Sequence, residues 1–172
     1  MTGLVAATAT AFTALLFARA AWHKLSDFTA FTGYVADYAV VPERWVKAAS
    51  MAVAGGEVLV VLSLLTPGGN VLGSLGAIAL LALYAGAMAL NVGRGRDRVE
   101  CGCGGAVQPL SWRLVMRNGV LAAIAALGLI AGPYALTLEE ALSALLGGFT
   151  LWVGYILVEQ IMANAAFMRM RR

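Results

Sequence analysis

Read along the chain, apolar residues fall in five blocks of about twenty, each closed by a short polar or glycine- and proline-bearing stretch. The blocks cover residues 2–21, 46–65, 71–92, 114–132 and 141–162, the last able to extend to Met168. Each helical residue advances about 1.5 Å, so twenty of them cross a hydrocarbon core of roughly 30 Å. The pattern therefore predicts five spanning α-helices. Thr66-Pro67-Gly68-Gly69-Asn70 reads as a tight turn, because proline and glycine both interrupt a helix. Ala131-Gly132-Pro133 ends the fourth block in the same way. Before the fifth, Thr137 with Glu140 three residues on matches a capping box, and Glu139 and Glu140 suit the positive end of the helix dipole.

Between the first two blocks the pattern changes. Trp22, Phe28, Phe31, Tyr34, Tyr38 and Trp45 make this stretch aromatic rather than aliphatic, as befits the headgroup level of a membrane. Residues 27–39 are expected to form a short amphipathic interfacial helix ended by Val41-Pro42; an ordinary connector is the plainer alternative.

Composition sharpens this picture. Hydrophobic residues make up 61% and charged residues 12% of the chain, against roughly half and a quarter in soluble domains. The expectation is an all-α integral membrane protein of one domain, residues 1–172. The net charge of +3 does not point to nucleic acid, because the basic residues cluster beside apolar blocks. Arg19, Lys24, Arg44 and Lys47 follow the first block. Arg94, Arg96, Arg98, Arg113 and Arg117 surround the gap between the third and fourth, and Arg169, Arg171 and Arg172 follow the fifth. Every Lys and Arg thus falls on one side of a five-span topology. The positive-inside rule then predicts a multi-pass protein of the cytoplasmic membrane with its N-terminus outside and its C-terminus cytoplasmic. Ala18-Arg19-Ala20 mimics a signal-peptidase site, but no basic residue precedes the first block, so no cleavable signal peptide is expected.

Chemistry concentrates at one place. Both cysteines stand in Glu100-Cys101-Gly102-Cys103-Gly104-Gly105. Cysteine often serves as a small packing residue in membrane helices, yet these two lie in a polar, glycine-rich stretch. A disulfide between them would close a very small ring, and strained disulfides are readily reduced. Flanking glycines let the backbone accept that ring, and Arg96, Arg98 and Arg113 favour thiolate over thiol. Cys101 and Cys103 are suited to redox cycling. The rival reading is a soft metal such as Cu(I), Zn or Hg bound by the same thiols, with His23 as a third ligand. Two thiolates are too few for a closed zinc site. A lone interfacial histidine is more often an ordinary surface residue.

Ionisable groups within the spans form the second set of candidates. Glu57 stands near the middle of the second block, where an unpartnered charge would cost several kcal/mol. Arg117, with Asn118 beside it, is the expected partner, and Arg19 the next choice. Glu159 is expected to snorkel or to meet the tail arginines. Small-residue spacings at Gly69, Gly73, Gly76, Gly148 and Gly154 predict close helix approach. They permit a homo-oligomer without dictating one.

Four stretches together resemble the MauE (methylamine-utilisation) family within the DoxX-like membrane proteins. They are Phe17-Ala-Arg-Ala-Ala-Trp-His-Lys-Leu-Ser-Asp27; Phe31 to Tyr38 with Val40-Val41-Pro42; Gly56-Glu57-Val58-Leu59; and Gly93-Arg-Gly-Arg96 through Cys101-Gly-Cys103-Gly104 to Leu110-Ser-Trp-Arg113 and Arg117-Asn118. Gly104 stands where family members usually carry an aromatic residue. The resemblance implies a DoxX-like four-helix transmembrane bundle, similar in outline to that of vitamin K epoxide reductase, plus a fifth C-terminal helix. It also implies thiol–disulfide handling beside a thioredoxin-like partner that supports disulfide formation in exported proteins. Catalytic candidates are then Cys101 and Cys103 as redox pair, Arg113 and Arg117 favouring thiolate, and Glu57 relaying a proton, with a quinone as a fitting electron acceptor. A non-catalytic scaffold for assembly is the third reading. The charge rule places the thiols on the cytoplasmic side. Service to exported proteins would then require electrons to cross the membrane, the loop to enter the bundle, or the opposite orientation.

Overall fold

The computed structural model describes residues 2–96, 109–130 and 136–170, and of 166–170 the backbone alone. Six helices account for nearly all of these: α1 (Thr2–Ser26), α2 (Phe28–Asp37), α3 (Glu43–Leu65), α4 (Asn70–Gly93), α5 (Trp112–Ile130) and α6 (Leu138–Met170). Five are long and apolar enough to cross a membrane. Each expected span overlaps one of them. The expected interfacial helix is α2, capped by Asp27, whose Oδ1 accepts from the Ala30 amide at 2.9 Å. The capping box at α6 also forms: the Glu140 amide donates to Thr137 Oγ1, and the Thr137 amide donates to Glu140 Oε2 at 3.0 Å.

Four helices close a ring in which α1 packs on α3 and α5, and α4 packs on the same two. Their shared core joins Phe12 and Phe17 of α1, Val60 and Leu64 of α3, Ala77 and Leu81 of α4, and Leu121 and Ala125 of α5. α6 stands outside this ring, against α1. The difference shows in burial, at 39% of the most apolar window of α1 and 11% of that of α6. Leu59 and Leu62 on α3, Leu72 and Leu83 on α4, Met116 and Val120 on α5, and Leu146 and Phe149 on α6 face outward. In water that surface would drive aggregation, whereas in a bilayer it meets hydrocarbon.

Small residues set the helix spacing. A Cβ on Gly148 would lie 2.7 Å from Ala11 Cβ and 2.9 Å from the Phe12 nitrogen, so α6 and α1 meet backbone to backbone there. At the α3–α4 turn Gly68 holds φ of 76°, and a side chain on Gly69 would strike the Ser63 carbonyl. Gly73 and Gly76 face Leu64 and Val60, which lets α4 close on α3. Gly154 behaves otherwise, with open space where its side chain would be. Thr13 and Ser50 donate to the carbonyls four residues back on their own helices, and Asn70 Nδ2 reaches across to the Gly128 carbonyl of α5 at 3.2 Å.

Candidate functional site

The deepest charges in the bundle lie on helix stripes that repeat every three or four residues, the spacing that keeps side chains on one face. On α1 the buried run is Ala14, Phe17, Ala21, Lys24; on α3 it is Val46, Ser50, Ala54, Glu57, Val60, Leu64. On α4 it is Asn70, Ser74, Ala77, Leu81, Met88 and Asn91, and half-buried Tyr84 occupies the intervening position. Packing α1, α3 and α4 together brings Lys24, Glu57 and Tyr84 to one point.

There Lys24 Nζ and Tyr84 Oη each donate to Glu57 Oε1 at 2.7 Å. Glu57 is 0% and Lys24 2% exposed. The ammonium also lies 5.3 Å and 5.5 Å from the ring centres of Phe31 and Tyr84, within range of a cation–π attraction. The other carboxylate oxygen, Oε2, is buried without a hydrogen-bond partner among the described residues. Glu57 is 14 residues into α3, about 21 Å at the helical rise. Lys24 is therefore an interior group rather than a snorkelling one.

This arrangement corrects the pairing expected from sequence. Glu57 is held by Lys24, not by Arg117 or Arg19. Arg117 instead forms an ion pair with Glu159 of α6, through Nη1 and Oε1. Glu159 is thereby drawn to α5 rather than snorkelling. The reason is helical phase: Phe17, Ala21 and Lys24, spaced four and then three residues apart, share the buried face of α1, whereas Arg117 is turned toward α6. Because α6 packs on α1 rather than α5, this ion pair ties the outer helix across to the ring.

A small cavity of about 40 Å³ connects the two ion pairs, lined by Arg19, Glu57, Tyr84, Arg117, Asn118 and Glu159 among others. At about 10–15 Å³ per water, it has room for about three or four. Its wall is mostly apolar, from Leu16, Phe17, Leu81 and Leu121, with the polar side chains set among them.

The remaining candidates lie around the same end of the molecule. Arg113 is exposed at the start of α5, and His23 is exposed on the outer side of α1. Arg96 Nη2 donates to the Asp37 carbonyl at 3.0 Å, and Asn91 Nδ2 to the Tyr38 carbonyl at 3.0 Å, so the end of α4 fastens the end of α2. Tyr38 packs with Met88, Leu110 and Leu114. The end of α4, the start of α5 and α2 thus share one face of the bundle. Cys101 and Cys103 belong to the connection between α4 and α5 and lie outside the described residues, as does Arg98. Among the described residues no three His, Cys, Asp or Glu side chains gather as a metal site would need. Sequence reasoning missed Tyr84 and counted Lys24 only as a topology signal; the three-and-four spacing of their stripes was the available clue.

Comparison with known proteins identifies the family. The family model described as "Methylamine utilisation protein MauE" matches residues 1–131, which include α1 to α5 and the Lys24–Glu57–Tyr84 cluster. Methylamine utilization protein MauE of Paracoccus denitrificans is 39% identical over 84% of this chain and 80% of its own length. The proteins of the same name from Paracoccus versutus and Methylophilus methylotrophus are 35% and 37% identical, over 66% and 73% of this chain and 62% and 65% of their own lengths. No solved structure matches. With most of its length covered by the family model and identities of this size, the chain belongs to the MauE family of membrane proteins.

Proposed function

We propose that this protein is a membrane component of thiol–disulfide handling that works beside a thioredoxin-like partner and supports maturation of an exported protein used in methylamine metabolism. The observation that carries the reading is the Cys101-Gly-Cys103 pair in the connection between α4 and α5, beside basic Arg96 and Arg113, in a bundle with a hydrogen-bonded carboxylate inside it. In the step proposed, the Cys101–Cys103 disulfide accepts two electrons and two protons from the partner's dithiol, which becomes a disulfide. A quinone then takes the same two electrons and two protons from the reduced pair and becomes a quinol. Glu57 carries protons through the small cavity. Arg113 favours the attacking thiolate; Arg117, with its charge balanced by Glu159, contributes less to it and holds α6 in place.

A thiol-trapping gel on membranes tests this reading. The expected result is a reversible mobility difference between oxidised and reduced forms of the pair. Thiols protected until a chelator is added would replace redox cycling by soft-metal carriage.

Orientation belongs to the same proposal. The basic residues of α1, α3 and α5, with Arg94 and Arg96 just past α4, gather at the end of the bundle that carries α2, which we take as cytoplasmic. A reporter fused after Arg172 is expected to behave as cytoplasmic and one inserted at Gly68-Gly69 as external. The reverse pattern would put the thiols outside, directly within reach of an exported partner.

A further inference from the structure

Beneath α2 lies a second cavity, of about 170 Å³. Phe31, Tyr34 and Tyr38 cover it from α2, Val53 of α3 and Ala87 of α4 form its walls, and Tyr84 divides it from the small cavity. Its charged lining residue is Lys24. The Lys24 ammonium sits between the rings of Phe31 and Tyr84, both of them wall residues. An ammonium has three N–H donors, and the hydrogen bond to Glu57 uses one of them.

We propose that this cavity binds a compact, neutral, ring-containing molecule that bears a carbonyl oxygen, with that oxygen accepting a hydrogen bond from Lys24. Size sets the first term, since an apolar cavity of about 150 Å³ accommodates benzene. The aromatic walls set the second, because flat rings stack offset or edge-on against them. Charge sets the third. Glu57 already balances Lys24, so a carboxylate ligand would leave a net buried negative charge and a cationic one would meet the ammonium. A plain hydrocarbon would fill the space and leave the remaining donors unmet. The same carbonyl chemistry occurs in lipid esters, but the rings of Phe31, Tyr34, Tyr38 and Tyr84 favour a flat ring over an acyl chain. The inference does not rest on the thiol chemistry, because every residue in it lies between the start of α1 and the end of α4.

The test uses the full chain in lipid nanodiscs, with binding followed by ligand-observed NMR against empty nanodiscs. Acetophenone, ethylbenzene and benzoate are matched in size and differ at the position that would meet Lys24. Acetophenone is expected to bind about tenfold more tightly than ethylbenzene, and benzoate not to saturate. Ala87→Phe, which places a ring in the cavity, should abolish acetophenone binding with helix content unchanged. In the charge-neutral Lys24→Met/Glu57→Gln variant, acetophenone and ethylbenzene should bind within about twofold of each other. Equal affinities in the unmodified protein, a preference for benzoate, or binding that survives Ala87→Phe would overturn the proposal. So would tighter binding of methyl octanoate than acetophenone, which would identify a lipid ester as occupant.

Discussion

Lys24→Met should lower the stability of the folded bundle by about 3–5 kcal/mol, because it leaves the Glu57 carboxylate buried without its counter-charge. A buried ion pair contributes little net stability, but removing one partner exposes the full desolvation cost of the other. Lys24→Met/Glu57→Met should therefore recover most of the loss, since two apolar side chains replace two compensating charges. Glu57→Gln should also lower stability by about 3–5 kcal/mol, because it leaves the Lys24 ammonium buried without its counter-charge. Unfolding in mixed micelles provides the measurement. A double-mutant cycle separates the observed partner from the one expected by sequence. Lys24 and Glu57 should couple by about 2 kcal/mol or more, while Arg117 and Glu57 should be additive within about 0.5 kcal/mol. Coupling to Arg117 in place of Lys24 would refute the arrangement described for the core.

Cys101→Ser and Cys103→Ser should each reduce thiol exchange to background while the protein stays folded and inserted. Both residues fall in the connection between the end of α4 at Gly93 and the start of α5 at Trp112. A serine hydroxyl does not ionise to a nucleophile at neutral pH as a thiol does. The two variants should nevertheless differ, because in thiol exchange one sulfur attacks and the other resolves the mixed disulfide. With Cys101, next to the arginine-rich stretch, as the sulfur that forms the mixed disulfide, Cys103→Ser should trap a covalent complex when its Cys101 thiolate attacks the oxidised partner's disulfide, the reverse of the proposed step, and Cys101→Ser should not. Non-reducing gels of membranes expressing each variant would show it. Full activity of the double serine variant would remove both the redox and the metal readings and leave the scaffold.

The hydrophobic pattern by itself determined the number of spanning helices, their limits to within a few residues at most ends, the interfacial helix and the capping box of α6. These features depend on local chemistry: the length of an apolar block, a proline or glycine that breaks it, a side chain that caps it. The ion-pair partners were decided by tertiary structure. Periodicity shows that Phe17, Ala21 and Lys24 share a face, as do Ala54, Glu57 and Val60, but not which face of α1 meets which face of α3. Several basic residues near one end of the bundle were comparable candidates for Glu57, and the choice turned on how far each helix is rotated about its axis. The same rotation carries Arg117 toward Glu159 and leaves α6 outside the four-helix ring. Its close approach to α1 depends on Gly148, whereas Gly154, equally small, faces open space. A glycine in the sequence permits contact between helices; only the packed bundle decides whether a neighbour comes close enough to use it.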